Sequence, residues 1–382
     1  MTTIVVCSLE SWDGVWRRNQ HLVHRLLNAD PRLRVLFIEP SPDPIHEVLS
    51  RRRPRRGSGA RSIDGYDGRL VALEATKWLP RAIGRLSDVL LRRQATQTLD
   101  ALGWRPDLLW VNDPKWRGLA GAEGWPTLYD ITDDWVRASR GSRQRATIIE
   151  DDAALLDLSE VVVVCSPDLE KVKGAVRPVV LIPNAVDLDA YRAPVLPSPD
   201  DLPAGPVALY AGTLHEDRLD VPLVLETADA VAEKDGRVVL IGPNALGPGN
   251  AEALRAHPSV RLLGSRRFDT VPSYLVRADV LIVPHAVTDF TESLDPIKLY
   301  EYLASGRPIV STPVAGFRQA TAQAELWIAA PDEFAHTVLD VASPRRSSVL
   351  REGIPDWTDR AAAFRAEIDR AIDDPPRHRV SR

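Results

Sequence analysis

Hydrophobic residues occur along this chain in short, nearly continuous runs that are rich in valine, isoleucine and leucine. Longer segments with helical spacing of apolar residues separate these runs. Buried parallel strands alternating with helices have this pattern, because helices cover both faces of the sheet. The predicted strands are 3–7, 34–40, 107–113, 127–133, 161–166, 179–184, 207–213, 237–242, 260–265, 279–284 and 307–313. We therefore expect an α/β protein.

The strands fall into two series, separated by the proline-rich and acidic segment 191–206. Because 382 residues exceed a typical single domain, we expect two doubly wound, Rossmann-like lobes over 1–190 and 207–357, joined by a linker. The alanine-rich segment 358–374 predicts a C-terminal helix that packs back on the first lobe. Ligands of such sheets bind beyond the carboxyl ends of the strands, so the expected site is the cleft between the lobes.

Composition indicates the compartment. Two cysteines, Cys7 and Cys165, end apolar runs and are predicted to be buried thiols in a reducing environment. No apolar run approaches the ~18 residues that span a bilayer. The apolar start lacks the charged front and cleavage site of a signal peptide. We therefore expect a cytoplasmic protein.

One strongly basic segment stands out against the net charge of −5. The sequence RRRPRRGSGAR at 51–61 contains six arginines and no acidic residue. A solvated loop is one interpretation, and peripheral contact with the inner face of a membrane is another. No nucleic-acid-binding module surrounds the segment, so we expect no nucleic-acid partner.

The turn YAGTLHEDRLD at 210–220 directly follows a predicted strand. Gly212 permits close backbone approach, and the N–H groups of Gly212 and Thr213 could receive phosphate oxygens. Arg218 would add a bidentate, charged donor. A tight turn without a ligand is the alternative interpretation.

The segment SLDPIKLYEYLASGRPIVSTPVAG at 293–316 predicts a helix followed by a strand. Asp295 is expected to cap this helix and Pro296 to begin it, so that the first-turn N–H groups could hold phosphate. Lys298 lies in the first turn, and Glu301 follows on nearly the same face. Glu301 could accept hydrogen bonds from vicinal ribose hydroxyls. A surface ion pair between Lys298 and Glu301 is the alternative.

Together these motifs resemble GT-B glycosyltransferases, particularly the retaining family-4 type. The segment 293–316 resembles the donor-binding segment of that family, and 210–220 falls where the family places its diphosphate-binding turn. Four N-terminal segments are similar to a subgroup of teichuronic-acid-type glycosyltransferases. They are SWDGVWRRNQHLVHRLL (11–27), LYDITDDW (128–135), VVCSPDL (163–169) and IPNAVDLDAY (182–191).

The resemblance implies a GT-B fold and transfer of a hexosyl group from a nucleoside-diphosphate sugar to an acceptor hydroxyl, with retention of configuration. The pathway would be polysaccharide, glycoconjugate or natural-product biosynthesis in a bacterium. The implied donor-binding residues are Gly212, Thr213, Arg218, Ser293, Leu294, Asp295, Ile297, Lys298 and Glu301. The chain departs from the family at Ser293, where many members carry a first glutamate. It also lacks the second cation after the diphosphate turn and has Ala185 where glycine is common.

The resemblance places the acceptor on the N-terminal lobe, as a carbohydrate, a lipid-linked sugar or a natural product. Aromatic faces stack on sugar rings, and a glycine in the first strand–helix loop lets substrate approach. The candidate acceptor-binding residues are Trp12, Gly14, Trp16, Arg17 and Trp135. Asp133 and Asp130 are the candidate catalytic residues, as a base or as stabilisers of a positively charged sugar ring. Helix capping is the alternative role for Asp133.

No cofactor and no metal are expected, because the histidines are scattered and no Asp-x-Asp triplet occurs. The phosphate-binding cations would neutralise the leaving diphosphate instead. Two other functions remain open from the sequence. One is a nucleotide-sugar epimerase of the same fold, and the other is a non-catalytic partner that retains the fold without turnover.

Overall fold

The computed structural model describes residues 1–49, 51, 53–79, 85–134, 142–192, 196–320, 325–342 and 351–373. The chain divides into two compact units. The first consists of Met1–Thr132, Arg140–Pro183 and Thr358–Arg382, and the second of Asp133–Ser139 and Asn184–Trp357. This division assigns the predicted linker to the second unit and the C-terminal helix to the first.

An eight-stranded sheet forms the centre of the first unit. Its strands are β1 (Thr2–Cys7), β2 (Leu33–Ile38), β3 (Gly59–Ser62), β4 (Leu70–Glu74), β5 (Leu108–Val111), β6 (Thr127–Ile131), β7 (Val161–Val164) and β8 (Val180–Leu181). They lie in the order β3-β4-β2-β1-β5-β6-β7-β8, and every pair is parallel except β3 with β4. Order reverses at β1 and β5, so the carboxyl ends of these two strands mark the switch point of the sheet.

Seven helices accompany this sheet among the described residues. They are α1 (Arg18–Ala29), α2 (Pro44–Leu49), α3 (Arg85–Leu102), α4 (Arg117–Glu123), α5 (Ser142–Leu158), α6 (Pro167–Gly174) and, after the second unit, α15 (Trp357–Asp373). A 3-10 turn, Pro114–Trp116, precedes α4. Strands β4 to β7 are buried along their whole length, because the layers of helices cover both faces.

The second unit is built around a six-stranded parallel sheet. Its strands are β9 (Val207–Ala211), β11 (Arg237–Ile241), β13 (Val260–Gly264), β14 (Val280–Val283), β15 (Ile309–Ser311) and β16 (Leu326–Ile328), with β10 (Leu214–His215) and β12 (Asn244–Ala245) as a separate short pair. The order is β13-β11-β9-β14-β15-β16. Counted along the chain this is 3-2-1-4-5-6, the Rossmann order, so the switch point lies between β9 and β14.

The helices of the second unit cover both faces of this sheet. They are α7 (Leu188–Arg192), α8 (Val221–Ala232), α9 (Pro248–Ala256), α10 (Val271–Leu275), α11 (Asp289–Glu292), α12 (Ile297–Ser305), α13 (Ala315–Gln319) and α14 (Pro331–Val341). Two apolar clusters, one on each face, form the core. The prediction of an α/β protein with two Rossmann-like lobes is confirmed.

The basic segment 51–61 is not simply a solvated loop, so that interpretation is wrong in part. Its last residues enter β3, which pairs antiparallel with β4 at the edge of the sheet. Arg55 Nη1 donates to Glu74 at 2.6 Å, and Arg61 forms a two-pronged ion pair with Glu39. The sequence pattern missed β3, which has little apolar character, and β4, which is a short run of five residues.

The described part of the predicted linker packs on the second unit. Helix α7 extends into it as far as Arg192. The Asp201 carboxylate accepts a hydrogen bond from Tyr274 Oη at 2.7 Å and pairs with Arg266. The carbonyl of Leu196 accepts from Arg277 at 2.5 Å. These contacts tie the segment down along much of its length.

The C-terminal helix α15 contributes a large apolar side chain to the first unit. The ring of Phe364 is fully buried, and its centroid lies 4.3 Å from that of Trp110. The guanidinium of Arg18 lies 5.8 Å from the same ring. Arg365 Nη1 also pairs with Asp30 at 3.1 Å. The helix is therefore part of the first unit's core.

Both cysteines are buried and neither forms a disulfide, and burial raises the pKa of the Cys7 thiol. Within the described ranges, none of the helices has the length and apolar character needed to cross a bilayer.

Replacing Phe364 by alanine should destabilise the first unit by about 3–5 kcal/mol, because it leaves a cavity beside Trp110. Urea unfolding followed by circular dichroism measures this change. Val176 is exposed in the same unit, so Val176→Ala is the control and should change stability little. Equal stability of Phe364→Ala and the native chain would contradict the packing described for α15.

Candidate active site

Two glycines allow the ends of β9 and β11 to meet. Gly212 has a φ of 148°, and its N–H donates to the carbonyl of Ile241 at 2.8 Å. Gly242 has a φ of 140°, and a Cβ at that position would lie 2.1 Å from the Gly212 oxygen. Both positions therefore require glycine. The sequence reading did not assign a role to Gly242.

The bonding of Gly212 corrects the prediction for this turn. Since its N–H is used within the sheet, it cannot receive a phosphate oxygen. The N–H of Thr213 makes no hydrogen bond to any described residue. Of the two predicted phosphate donors in this turn, Thr213 therefore remains. Gly212 instead lets Lys298 come close to the backbone, because a Cβ at position 212 would lie 2.8 Å from Lys298 Nζ.

Lys298 lies at the switch point, where β9 and β14 end side by side. Its ammonium donates to Tyr210 Oη at 2.7 Å and lies 3.3 Å from His285 Nε2. Tyr210 Oη and His285 Nε2 are themselves 3.1 Å apart. Lys298 is thus held by neutral partners, and none of the described carboxylates forms an ion pair with it.

This environment disfavours charge. Burial lowers the pKa of Lys298 well below its usual value, and nearby Arg218 lowers it further, while Glu301 opposes the shift. Burial likewise lowers the pKa of His285, with Lys298 and Arg218 adding to the effect. A buried cation held by neutral groups is stabilised when an anion arrives.

Tyr210 and His285 are residues that the sequence reading did not place in the site. Tyr210 is the fourth residue of β9, and His285 follows β14 by two positions. His285 is buried there. The signal that could have identified it is the strand order, because strands one and four of a Rossmann sheet are neighbours.

Glu301 lies one turn after Lys298 on α12 and is partly buried. Burial raises its pKa to about 7, and Lys298 opposes this shift. The carboxylate forms no hydrogen bond or ion pair with any described residue. The alternative of a surface pair between Lys298 and Glu301 is therefore not realised.

Helix α12 begins one residue later than predicted. Pro296 is the N-cap, and the first intrahelical bond runs from Leu299 N to Pro296 O at 2.9 Å. Asp295 does not cap the helix, because its carboxylate accepts from Asn184 N at 2.5 Å and from Tyr300 Oη at 2.7 Å. Asp295 holds the loop at Asn184 in place and therefore has a positioning role.

Ser293, at the position of the family's first glutamate, is fully buried and donates to the Phe290 carbonyl at 2.8 Å. The adjacent Glu292 pairs with Arg318, with nitrogen–oxygen distances of 3.0 and 2.5 Å. It is already engaged and does not replace the missing carboxylate. Leu294 and Ile297 are partly buried and flank the start of α12.

Arg218 approaches the same region from the turn after β10. Its Nε lies 3.2 Å from Asp217, and its guanidinium lies 5.5 Å from the centroid of Phe290. Asp133, which falls within the second unit, is near these two residues. Burial raises the pKa of Asp133 and Asp217 adds to this rise, while Arg218 opposes it.

Asp130 has a structural role instead. It has no exposed surface, and Arg18 Nε and Nη2 hold its carboxylate at 3.1–3.2 Å. Asn112 Nδ2 donates to its carbonyl at 2.9 Å and Asn19 donates in turn to Asn112. This network at the ends of β1, β5 and β6 leaves Asp130 no surface for a substrate.

Four of the five predicted acceptor residues, Trp12, Gly14, Trp16 and Arg17, belong to the loop before α1. Trp12 and Trp16 are partly exposed, with ring centroids 5.7 Å apart, and Gly14 lies between them. The backbone N–H of Arg17 donates to Gln20 at the helix start, and its guanidinium reaches the Val15 carbonyl at 3.5 Å. Trp135 lies outside the described residues.

Metal ligands are a separate question. Across the described ranges, no three His, Cys, Asp or Glu side chains lie close enough together to hold a metal ion. The absence of a cofactor remains a prediction.

Replacing Glu301 by glutamine should stabilise the protein at neutral and alkaline pH. The pKa of about 7 in the folded protein exceeds the usual glutamate value of 4.5, so the folded protein loses stability as pH rises between these two values. The gain of Glu301→Gln should grow over that range and level off above pH 7, at roughly 1–3 kcal/mol. Urea midpoints measured from pH 5 to pH 8 report it. Glu333→Gln, at an exposed position of α14, is the control. A pH-independent difference for Glu301→Gln would contradict the burial described.

Comparison with known proteins shows what this chain is similar to. Residues 205–343 match the family model "Glycosyl transferases group 1". A curated relative from Bacillus subtilis (strain 168), the "Putative teichuronic acid biosynthesis glycosyltransferase TuaH", is 24% identical over 249 residues. The match covers 60% of this chain and 62% of the relative's length.

Solved structures match nearly the whole chain. The structure of Anabaena HepE in complex with UDP and glucose has a TM-score of 0.62 at 14% identity, and the match covers 97% of each chain. The catalytic domain of starch synthase IV from Arabidopsis thaliana, bound to ADP and acarbose, has a TM-score of 0.61 at 11% identity, covering 98% of this chain and 99% of that one. These likenesses establish the fold and confirm the predicted resemblance. The chain therefore has a GT-B fold, and its residues 205–343 are similar to the group 1 glycosyl transferases.

Proposed function

We propose that this protein transfers a sugar from a nucleoside-diphosphate sugar to an acceptor hydroxyl, with the donor bound on the second unit. One observation carries the proposal. Helix α12 presents Lys298, a cation that forms no ion pair with a described carboxylate, beside the Gly212 turn. It also presents Glu301, a carboxylate that forms no hydrogen bond or ion pair with a described residue. A nucleoside diphosphate brings complementary groups, an anionic diphosphate and a pair of ribose hydroxyls.

The diphosphate would lie against the turn after β9. The N–H of Thr213 and the first-turn N–H groups of α12 would donate to its oxygens, and Lys298 would supply charge. The guanidinium of Arg218 adds a further positive charge from the neighbouring turn. Lys298 thereby takes the role of the second cation that this chain lacks after the diphosphate turn. Together these groups stabilise the charge that develops on the leaving diphosphate.

The ribose would bind Glu301. A carboxylate has enough acceptor capacity for two hydroxyl donors at once. Hydrogen bonds to a charged group favour its ionised form, so nucleotide binding compensates for the burial that raises the pKa of Glu301. An unpaired, half-buried carboxylate is therefore suited to this ligand.

The transfer would proceed with retention of configuration. The bond between the anomeric carbon and the diphosphate oxygen breaks, and its electron pair leaves with the diphosphate. The acceptor oxygen forms its bond on the same face, and its proton passes to a carboxylate or to a departing phosphate oxygen. Asp133 is the proposed carboxylate, because burial and the nearby Asp217 raise its pKa against the opposing effect of Arg218.

The acceptor would bind on the first unit, through the aromatic pair Trp12 and Trp16. Partly exposed indole rings offer a stacking surface for a sugar ring and an N–H donor beside it. We propose a carbohydrate acceptor in the synthesis of an envelope polysaccharide or a glycoconjugate. The name of the Bacillus relative supports this pathway class.

Donor binding should separate the roles of Glu301 and Lys298. Glu301→Gln should weaken binding of the preferred nucleoside diphosphate about 10- to 100-fold, because charged hydrogen bonds to the ribose are lost. Lys298→Met should weaken it similarly by removing the diphosphate contact. Isothermal titration calorimetry with UDP, GDP, TDP and ADP, without added metal, measures both.

Inorganic pyrophosphate provides the matched control, because it has no ribose. Its affinity should be unchanged in Glu301→Gln and at least about tenfold weaker in Lys298→Met. Nucleotide affinity unchanged in Glu301→Gln would remove that residue from the site. No nucleotide binding by the folded native protein would favour the non-catalytic partner, for which the buried Ser293 at the family's glutamate position is the structural argument.

Replacing Asp133 by asparagine should lower kcat about 100-fold while nucleotide affinity changes little, because the side chain acts on the reacting groups. Rates come from nucleoside-diphosphate release with an acceptor present, and proton NMR of the first product gives its anomeric configuration. Asp189→Asn on α7 is the control. An unaltered kcat for Asp133→Asn, or an inverted product, would contradict this part of the proposal.

A further inference from the structure

The first unit exposes an unusual combination of side chains along α2 and the basic segment. No residue of α2 is buried, and Val48 and Leu49 are 58% and 77% exposed. Single exposed apolar residues are ordinary, but neighbouring ones beside a dense run of arginines call for an explanation.

A tryptophan lies against the same segment. Trp78 is 44% exposed, and the guanidinium of Arg56 lies 5.1 Å from its ring centroid. The preceding residue, Lys77, donates its backbone N–H to the Pro42 carbonyl at 3.0 Å, and its ammonium pairs with Asp43 at 2.6 Å. These two bonds fix Trp78 next to the residues that begin α2.

Some arginines of the basic segment pair with acidic side chains of the protein, and others form no ion pair with a described residue. Arg55 and Arg61 pair with Glu74 and Glu39, and Glu47 on α2 accepts a hydrogen bond from the backbone of Arg55. The acidic side chains that face the segment are therefore occupied.

Arg51 and Arg53 are exposed, and neither forms an ion pair with any residue that the structure describes. Together with Arg56 they present three cations on the surface that carries Val48, Leu49 and Trp78. We call these six residues the docking surface.

We propose that the docking surface binds an anionic lipid bilayer. Aliphatic side chains and tryptophan enter the headgroup boundary, while arginines remain among the lipid phosphates. A polynucleotide would match the cations, but Val48 and Leu49 would gain nothing from it. The combined chemistry therefore favours a lipid surface, and this proposal does not depend on the sugar-transfer reaction.

The test uses the full chain and sedimentation with vesicles of phosphatidylcholine, with or without phosphatidylglycerol. Binding should require the anionic lipid and weaken as salt is raised, because exposed charges are screened. Arg51→Gln/Arg53→Gln should reduce vesicle affinity by at least about tenfold. Val48→Ser/Leu49→Ser should reduce it by about tenfold or more through the lost apolar contact.

Matched controls come from exposed residues of the same unit. Arg32→Gln/Arg105→Gln and Val176→Ser should bind vesicles like the native chain. Quenching of Trp78 fluorescence by brominated lipid, read as the difference from Trp78→Phe, should place this indole in the headgroup boundary.

Three results would overturn the proposal. They are equal binding to neutral and anionic vesicles, an equal loss in the control variants, and tight binding of a homopolymeric RNA that the arginine variant abolishes while vesicles remain unbound.

Discussion

The structure of the second unit depends on the close approach of helix α12 to the end of β9. The ammonium of Lys298 occupies the space that a side chain at position 212 would need, since a Cβ there would lie 2.8 Å away. Gly242 must also lack a side chain, because β11 ends beside the same turn. This approach places the helix start, the turn and the end of β14 within reach of a single small anionic group.

The close approach has an electrostatic cost that the described side chains do not offset. Lys298 is surrounded by Tyr210 and His285, and Glu301 lacks a hydrogen-bonding partner among the described residues. Buried ionisable groups without counter-charges destabilise a fold, and such groups concentrate at functional sites. By contrast, Asp130 and Arg18 in the first unit satisfy each other fully, as a structural pair does. The difference between these two environments supports the proposal that Lys298 and Glu301 bind a ligand while Asp130 and Arg18 support the fold.

Much of the fold and of the candidate site could be predicted from the sequence. Apolar runs located most of the strands, and the order of Pro296, Lys298 and Glu301 located the helix that faces the turn. Edge strand β3 was missed because its residues, Gly59–Ser62, alternate in burial and have little apolar character. The assignments of Asp295 and Gly212 needed revision for a common reason. Local spacing identified polar groups near the site but could not show that distant partners, Asn184 and Ile241, already bind them. His285 depended on strand order, which no local pattern contains.

The most direct test of the central claim is a crystal structure of the protein with the nucleoside diphosphate that it binds best. The account predicts diphosphate oxygens at hydrogen-bond distance from Lys298 Nζ and Thr213 N, about 2.7–3.2 Å, and both ribose hydroxyls on the Glu301 carboxylate. A nucleotide bound elsewhere, or a Glu301 carboxylate that still lacks a partner in the complex, would contradict it.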